Sequence, residues 1–243
     1  MYNQILAVAK TEWRCQVKSW VFWIGLLIII GVPLVVDLPS SAADLLTTKS
    51  AGICYSHGIV MMGSCFMPLL TITIFYKDRV TSMPVLIFSQ PVSKTSFVLG
   101  KFFGMFSVYM TIVLLGILPW ISIPLFFGEM PYSPIVFIYF LLILSIPSMF
   151  YFACLCYLVE VGFCKTIATI SIPLIFLIFW ELLPGFASHI PPDYILGTMA
   201  AGFPLPPDML QFIIINRLFL IIAGIGLLYI STRAFSLKKF MGM

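Results

Sequence analysis

The chain has 243 residues, of which 61% are apolar and 9% charged, and its formal net charge is +4. A soluble domain of this length needs a larger polar surface, and a transmembrane β-barrel has strands of alternating polarity rather than continuously apolar runs. The composition therefore predicts an all-α integral membrane protein. The positive balance fits an oriented membrane protein better than a nucleic-acid-binding one, so no nucleic-acid partner is expected.

Residues 1–19 are predicted to form an amphipathic helix at the inner membrane surface. They carry an apolar stripe and a basic stripe at helical spacing: Ile5, Ala9, Trp13 and Val17, and opposite them Lys10, Arg14 and Lys18. The pattern has two interpretations. The helix is either a surface anchor held by anionic lipid or a lever that passes movement from a cytoplasmic partner to the first span.

Residues 20–243 are predicted to form the transmembrane domain. It contains six apolar runs long enough to cross a hydrocarbon core about 30 Å thick. The runs are 20–36, 54–76, 102–127, 134–159, 166–184 and 210–232. Pro119 and Pro124 are expected to break the outer part of the third run, because proline lacks the amide hydrogen that a helix interior needs.

Lysine and arginine concentrate on one side of the membrane when the six runs are taken as spans. That side contains Lys10, Arg14, Lys18, Lys77, Arg79, Lys94, Lys101, Lys165, Arg233, Lys238 and Lys239. Loops rich in lysine and arginine stay in the cytoplasm, so both termini are predicted to be cytoplasmic. The six cysteines lie within spans or on this reducing side, and they predict packing rather than a disulfide framework.

The most polar long interval is 75–104, and it lies between the second and third runs. It is basic, and it is the largest place where the chain can meet an aqueous partner. Gly100 and Gly104 are four residues apart, which allows a neighbouring helix to approach closely and predicts a packing interface.

The outer side holds a proline-rich but moderately apolar segment, 183–209, which predicts a hairpin or an interfacial cap. Near it, Glu181 and Arg217 should lie at similar depth, and we expect them to pair because an unpaired charge inside the membrane is costly. The alternative is that each side chain reaches separately to the outer interface.

Motifs for enzymatic chemistry are absent from the sequence. It has no Walker-type GxxxxGK[ST], HExxH, GxSxG or paired CxxC motif, so no catalytic or cofactor-binding residue is predicted. No metal site is predicted either, although an outer site of His57, His189 and Asp193 is a weaker alternative. The energy for any transport is therefore expected to come from another chain.

The interval 75–104 resembles the cytoplasmic segment of type-2 ATP-binding-cassette (ABC) exporter permeases. In that family a charged cluster follows the second span and precedes a pattern like hhhSxPhSRxxhhhGKhhG, where h is apolar. The corresponding residues are Leu86-Ile87-Phe88-Ser89-Gln90-Pro91-Val92-Ser93-Lys94 and Val98-Leu99-Gly100-Lys101-Phe102-Phe103-Gly104. The charged cluster departs from the family pattern, being Lys77-Asp78-Arg79 without a following glycine, and Lys94 replaces the usual arginine.

The resemblance implies a permease subunit in a bacterial plasma membrane, without ATPase motifs of its own. Its partners would be a second permease copy or a homologous permease, membrane lipid, and two ABC ATPase subunits that bind ATP and Mg²⁺. The ATPase-coupling residues, within 77–101, would be Asp78, Arg79, Ser89, Gln90, Pro91, Val92, Ser93, Lys94 and Lys101.

The expected function is export of a hydrophobic or amphipathic compound, such as an antimicrobial peptide or a drug, in resistance or immunity. Two alternatives work without an ATPase. One is a membrane-embedded immunity or binding protein, and the other is a secondary carrier. Both would need polar groups within the spans, and the sequence has few such groups there.

Overall fold

A computed structural model of the chain describes residues 2–36, 48–81, 93–127, 143, 145–182 and 207–235. These residues form seven α-helices and no strand. The helices are α1 (Tyr2–Val17), α2 (Trp20–Val36), α3 (Thr48–Thr81), α4 (Lys94–Phe127), α5 (Ile146–Phe163), α6 (Thr166–Leu182) and α7 (Pro207–Ala234). The predicted all-α class is confirmed for this part of the chain.

Three of the helices contain a stretch long and apolar enough to cross a membrane. These stretches are Lys94–Gly116 in α4, Ile146–Phe163 in α5 and Arg217–Ala234 in α7. The first part of α2 joins α1 at a bend of 73°, and the two form a fourth candidate if they are one broken span. The described part of the chain is thus all-α with three to four candidate spans, which is compatible with a membrane protein.

The helix bounds agree with several of the predicted runs. α2 covers the run 20–36 from its first residue to its last, and α6 and α7 cover most of the runs 166–184 and 210–232. α3 and α4 are longer than predicted, and their extra turns extend into the polar interval from both sides. Residues 134–142 of the fourth run and 183–206 of the outer segment lie outside the described residues.

The prediction that prolines break the third run is wrong. α4 continues through Pro119 and Pro124 to Phe127. Proline removes one backbone hydrogen bond but fixes φ near the helical value. In membrane helices the freed carbonyl is satisfied by neighbours, so proline is tolerated where a soluble helix would end.

α5 packs against four other helices, α3, α4, α6 and α7. Phe152, Cys154, Cys156 and Tyr157 are buried in the core around it. Cys154 and Cys156 point in different directions, yet both are buried because α5 has neighbours on more than one side. Both thiols fill space in the core, as the sequence predicts.

A tight turn joins α5 to α6. Cys164 has a φ of 54°, and its amide donates to the carbonyl oxygen of Glu160 at 2.8 Å, which closes the helix end. The buried Glu160 carboxylate accepts a hydrogen bond from the hydroxyl of Thr169 in α6. Glu160 therefore has a structural role at this turn, close to the end of the candidate span.

Candidate functional site

Three charged side chains from three helices meet inside the protein. Lys101 of α4 places its Nζ 2.5 Å from Oε1 of Glu12 in α1 and 2.5 Å from Oδ2 of Asp78 in α3. The lysine side chain is 1% exposed, and those of Glu12 and Asp78 are 16% and 10% exposed. We call these three residues the junction cluster.

The junction cluster tolerates burial because each charge has an opposite partner. An unpaired ammonium in this position would be strongly unfavourable, whereas here it donates a hydrogen bond to Glu12 and forms an ion pair with Asp78. The rings of Phe75 and Phe97 add cation–π contacts, with their centroids 5.8 and 5.2 Å from Nζ. Since its members lie on α1, α3 and α4, the cluster fixes the ends of these three helices relative to one another.

The predicted glycine pair brings α1 close to α4. A Cβ at Gly100 would lie 2.6 Å from the Cβ of Val8, and one at Gly104 would lie 2.6 Å from the Cβ of Glu12. Any side chain larger than hydrogen would push α1 away at these two positions. Gly100 and Gly104 therefore form a helix-packing interface whose partner is α1, and they let Glu12 reach Lys101.

Two further polar contacts hold α1 along its length. The indole Nε1 of Trp13 donates to the hydroxyl of Thr111 in α4 at 3.0 Å. The hydroxyl of Thr73 in α3 donates to Oε1 of Gln16 at 3.5 Å. Gln16 is the most deeply buried residue of α1, and the side of this helix that faces the bundle also includes Val8, Ala9 and Val17, of which the last two belong to the predicted apolar stripe.

Ser93 begins α4 as its N-cap. Its hydroxyl oxygen accepts the amide hydrogen of Ser96 at 3.1 Å, and the two hydroxyls are 2.7 Å apart. Such a cap satisfies an amide that has no partner within the helix. Ser93, the serine of the Pro-Val-Ser step, thus has a local structural role, because it marks the residue at which α4 begins.

Aromatic residues surround the first two turns of α4. The hydroxyl of Tyr157 donates to the carbonyl oxygen of Val98 at 2.6 Å, which ties α5 to α4. The Tyr157 ring lies 5.2 Å from that of Phe75 and 5.4 Å from that of Phe102. The start of α4 is therefore held by α5 as well as by the junction cluster.

Apart from the Ser93 cap, the predicted coupling residues with described side chains are either exposed or buried. Lys94 is exposed, with its Nζ 5.8 Å from the ring centroid of Phe235 beyond the end of α7. Asp78 and Lys101 are buried, so they do not offer a surface to a partner as the sequence predicted. The physical reason is that the acids of α1 and α3 neutralise Lys101, which the basic character of the interval did not reveal.

The other predicted coupling residues are only partly described or lie outside the described residues. Arg79 lies in α3, but its side chain is outside the described part, as are Ser89, Gln90, Pro91 and Val92. Their role in coupling stays a prediction.

Only one member of the predicted Glu181–Arg217 pair has a described side chain. Arg217 is buried in α7, and its Nη1 donates to the hydroxyl of Ser148 in α5 at 2.6 Å. Glu181 lies in α6, with its side chain outside the described residues. Ser148 is thus a partner of Arg217 that the sequence analysis missed, and the ion pair stays a prediction. The weaker alternative of an outer metal site also falls outside the described side chains.

Glu12 is the functional candidate that sequence reasoning missed. It is the only acidic residue before Asp37, and it stands on a helix that otherwise carries exposed cations. A lone acid among basic residues was the available signal. Its partner could not be identified, because Lys101 is 89 positions away in the chain.

Comparison with known proteins leaves the chain without a family assignment. No family model matches it, and no curated protein sequence is significantly similar to it.

Proposed function

We propose that the chain is the transmembrane subunit of a type-2 ABC exporter in a bacterial plasma membrane. It crosses the membrane six times with both termini in the cytoplasm and pairs with a second copy or a homologous permease. Separate ATPase subunits hold ATP and Mg²⁺ and supply the energy. The cargo is a hydrophobic or amphipathic compound, such as an antimicrobial peptide or a drug.

The observation that supports this proposal is the way residues 82–92 are attached. They connect the end of α3 at Thr81 to the Ser93 cap of α4. Asp78 lies about one helical turn before that connection and Lys101 about two turns after it, and the two form an ion pair. A flexible tether absorbs displacement, whereas a short segment between two bonded helices passes it on.

α1 is in contact with the same two helices. Glu12 binds the same ammonium as Asp78, and Gly104 brings α1 into direct contact with α4. A push on residues 82–92 therefore reaches α1 and the first span together with α3 and α4. This arrangement favours the lever interpretation of α1 without excluding its anchoring role, and it suits a transporter that works by rigid-body movement of helices.

The test is purification of the chain with its neighbours, followed by measurement of ATP hydrolysis. We expect an ATP-hydrolysing chain to co-purify and the cargo to stimulate its activity. Lys94→Glu reverses an exposed charge next to the Ser93 cap and should abolish that stimulation. Lys165→Glu reverses an exposed charge in the α5–α6 turn and serves as the matched control, which should behave like the unmodified protein.

Two results would contradict the proposal. One is translocation of a solute by the isolated chain in vesicles without nucleotide, which would favour the secondary carrier. The other is high-affinity binding of a toxin by the isolated chain, with no ATPase in the purified material, which would favour an immunity protein.

A further inference from the structure

The face of α1 that points away from the bundle is basic. Lys10, Arg14 and Lys18 follow one another at intervals of four residues and all are exposed. Lys10 and Arg14 lie on one face of α1, and Lys18 follows directly after its last residue, Val17; we call these three residues the basic stripe. Val8 and Glu12, the residues packed against the two glycines of α4, lie on the opposite side.

The basic stripe has no counter-charge within the described part of the chain. The one acid of α1, Glu12, is turned inward and bonded to Lys101. No hydrogen bond or ion pair joins Lys10, Arg14 or Lys18 to any other described residue. The internal pairing of Glu12 thus leaves α1 with an outer face on which every charged side chain is positive and has no partner within the described residues.

Exposed apolar side chains lie beside the basic stripe. Tyr2, Leu6 and Trp13 are all exposed, and at 100° per residue they occupy the sector of α1 next to the stripe. Trp20 and Trp23 are exposed at the start of α2. A helix with an apolar sector, a basic sector and tryptophans nearby is built for the boundary between headgroups and acyl chains.

We propose that the basic stripe is a binding site for the headgroups of anionic phospholipids. The phosphate oxygens accept hydrogen bonds from the two lysines and from the guanidinium of Arg14, while Leu6 and Trp13 contact the upper acyl chains. An acidic protein surface would satisfy the charges but not the apolar sector, so lipid is the better match. The site is independent of the proposed export function.

The junction cluster connects this site to the bundle. Glu12 and Trp13 of α1 bind α4 from the same turns that carry Lys10 and Arg14. Lipid bound at the stripe therefore fixes the position of a helix that is bonded to both α3 and α4. A change in the anionic lipid content of the membrane should thus alter the position of α1, and with it the ends of α3 and α4.

The test uses the full chain with Trp13 as its only tryptophan, the other four being replaced by Phe. It is reconstituted in phosphatidylcholine vesicles that contain either brominated phosphatidylglycerol or brominated phosphatidylcholine, since bromine quenches tryptophan at short range. We expect the anionic lipid to quench Trp13 preferentially. Each cation that binds a headgroup should raise the association constant of the anionic lipid by roughly five-fold. The preference should fall at high salt, because the headgroup contacts are partly exposed.

Variants assign the preference to the stripe. K10Q/R14Q/K18Q should remove the preference for phosphatidylglycerol. K77Q/K165Q/R233Q removes three exposed cations outside α1 and should keep it. If the first variant does not fold, the salt dependence of the parent protein still decides the matter.

Three results would overturn the proposal. The first is equal quenching by both lipids in the parent protein, and the second is the same loss in both triple variants. The third is an unchanged lipid preference in K10Q/R14Q/K18Q together with loss of a co-purifying acidic protein, which would assign the stripe to protein docking. None of these results bears on whether an ATPase drives the chain, so the two proposals fail separately.

Discussion

Replacing Lys101 by methionine tests the junction cluster directly. Methionine keeps the unbranched stem between Phe75 and Phe97 but removes the charge that Glu12 and Asp78 share. At 2.5 Å and an effective dielectric constant of ~20, Coulomb's law gives about 7 kcal/mol of attraction per contact before desolvation is subtracted. Desolvation of the three ions offsets much of this attraction.

The cost of the substitution comes mainly from what it leaves behind. Two carboxylates stay enclosed without a counter-ion, and removing one partner of a buried ion pair costs about 3–5 kcal/mol. At roughly 2–4 °C per kcal/mol for a chain of this size, the melting temperature of K101M should fall by about 6–20 °C. Thermal unfolding in detergent, followed by tryptophan fluorescence, measures the change.

A triple variant separates charge from packing. K101M/E12Q/D78N also neutralises both carboxylates, and it should regain more than half of the lost melting temperature, because neutral groups of similar shape are tolerated where bare charges are not. Lys165→Met, at an exposed lysine, is the control and should unfold like the parent. The reasoning fails if K101M unfolds at the parent temperature, or if the triple variant is less stable than K101M.

Three more substitutions probe the surroundings of the cluster. Gly104→Ala puts a methyl group against α1 and should lower the free energy of unfolding by about 1–3 kcal/mol, measured by thermal unfolding. Gly162→Ala, at a position with open space around it, should leave the stability unchanged. Equal effects of the two substitutions would contradict the close packing. Ser93→Ala should lower the free energy of unfolding by about 1 kcal/mol and speed amide hydrogen exchange in the first turn of α4, while Ser93→Asp should keep the cap. Unchanged amide protection in the alanine variant would disprove the cap. Exchanging the charges of Glu181 and Arg217 should restore the stability that either single reversal removes, and no restoration in thermal unfolding would end the idea of that pair.

The helices themselves were largely predictable from the sequence. The run 20–36 became α2 without a change of bounds, because a continuous apolar run that begins with Trp20 and Trp23 and is followed by Asp37 indicates where a helix begins and ends. The behaviour of Pro119 and Pro124 was not predictable in the same way. A local rule says that proline breaks a helix, but whether neighbours satisfy the freed carbonyls depends on the bundle around it.

The candidate site was predictable only as a set of residues. The sequence indicated Asp78, Lys101 and the glycine pair, but it treated the lysine as part of a basic surface. Glu12 escaped notice because an amphipathic helix is judged by its apolar and basic stripes, and a single acid hardly changes that pattern. The most deeply buried residue of this helix then turned out to be Gln16, while Val17 and Ala9 of the apolar stripe are half-buried.

Composition by itself predicted a helical chain suited to a membrane, because long apolar runs can satisfy their backbone hydrogen bonds in lipid only by forming helices. The distribution of lysine and arginine predicted the orientation of the spans. Only the tertiary structure decided which charges face outward. Gly100 and Gly104 let α1 pack against α4 with Glu12 turned inward. As a result Lys101 is enclosed and the basic stripe is exposed. Because the residues in this contact are far apart in the chain, no local sequence pattern predicts it.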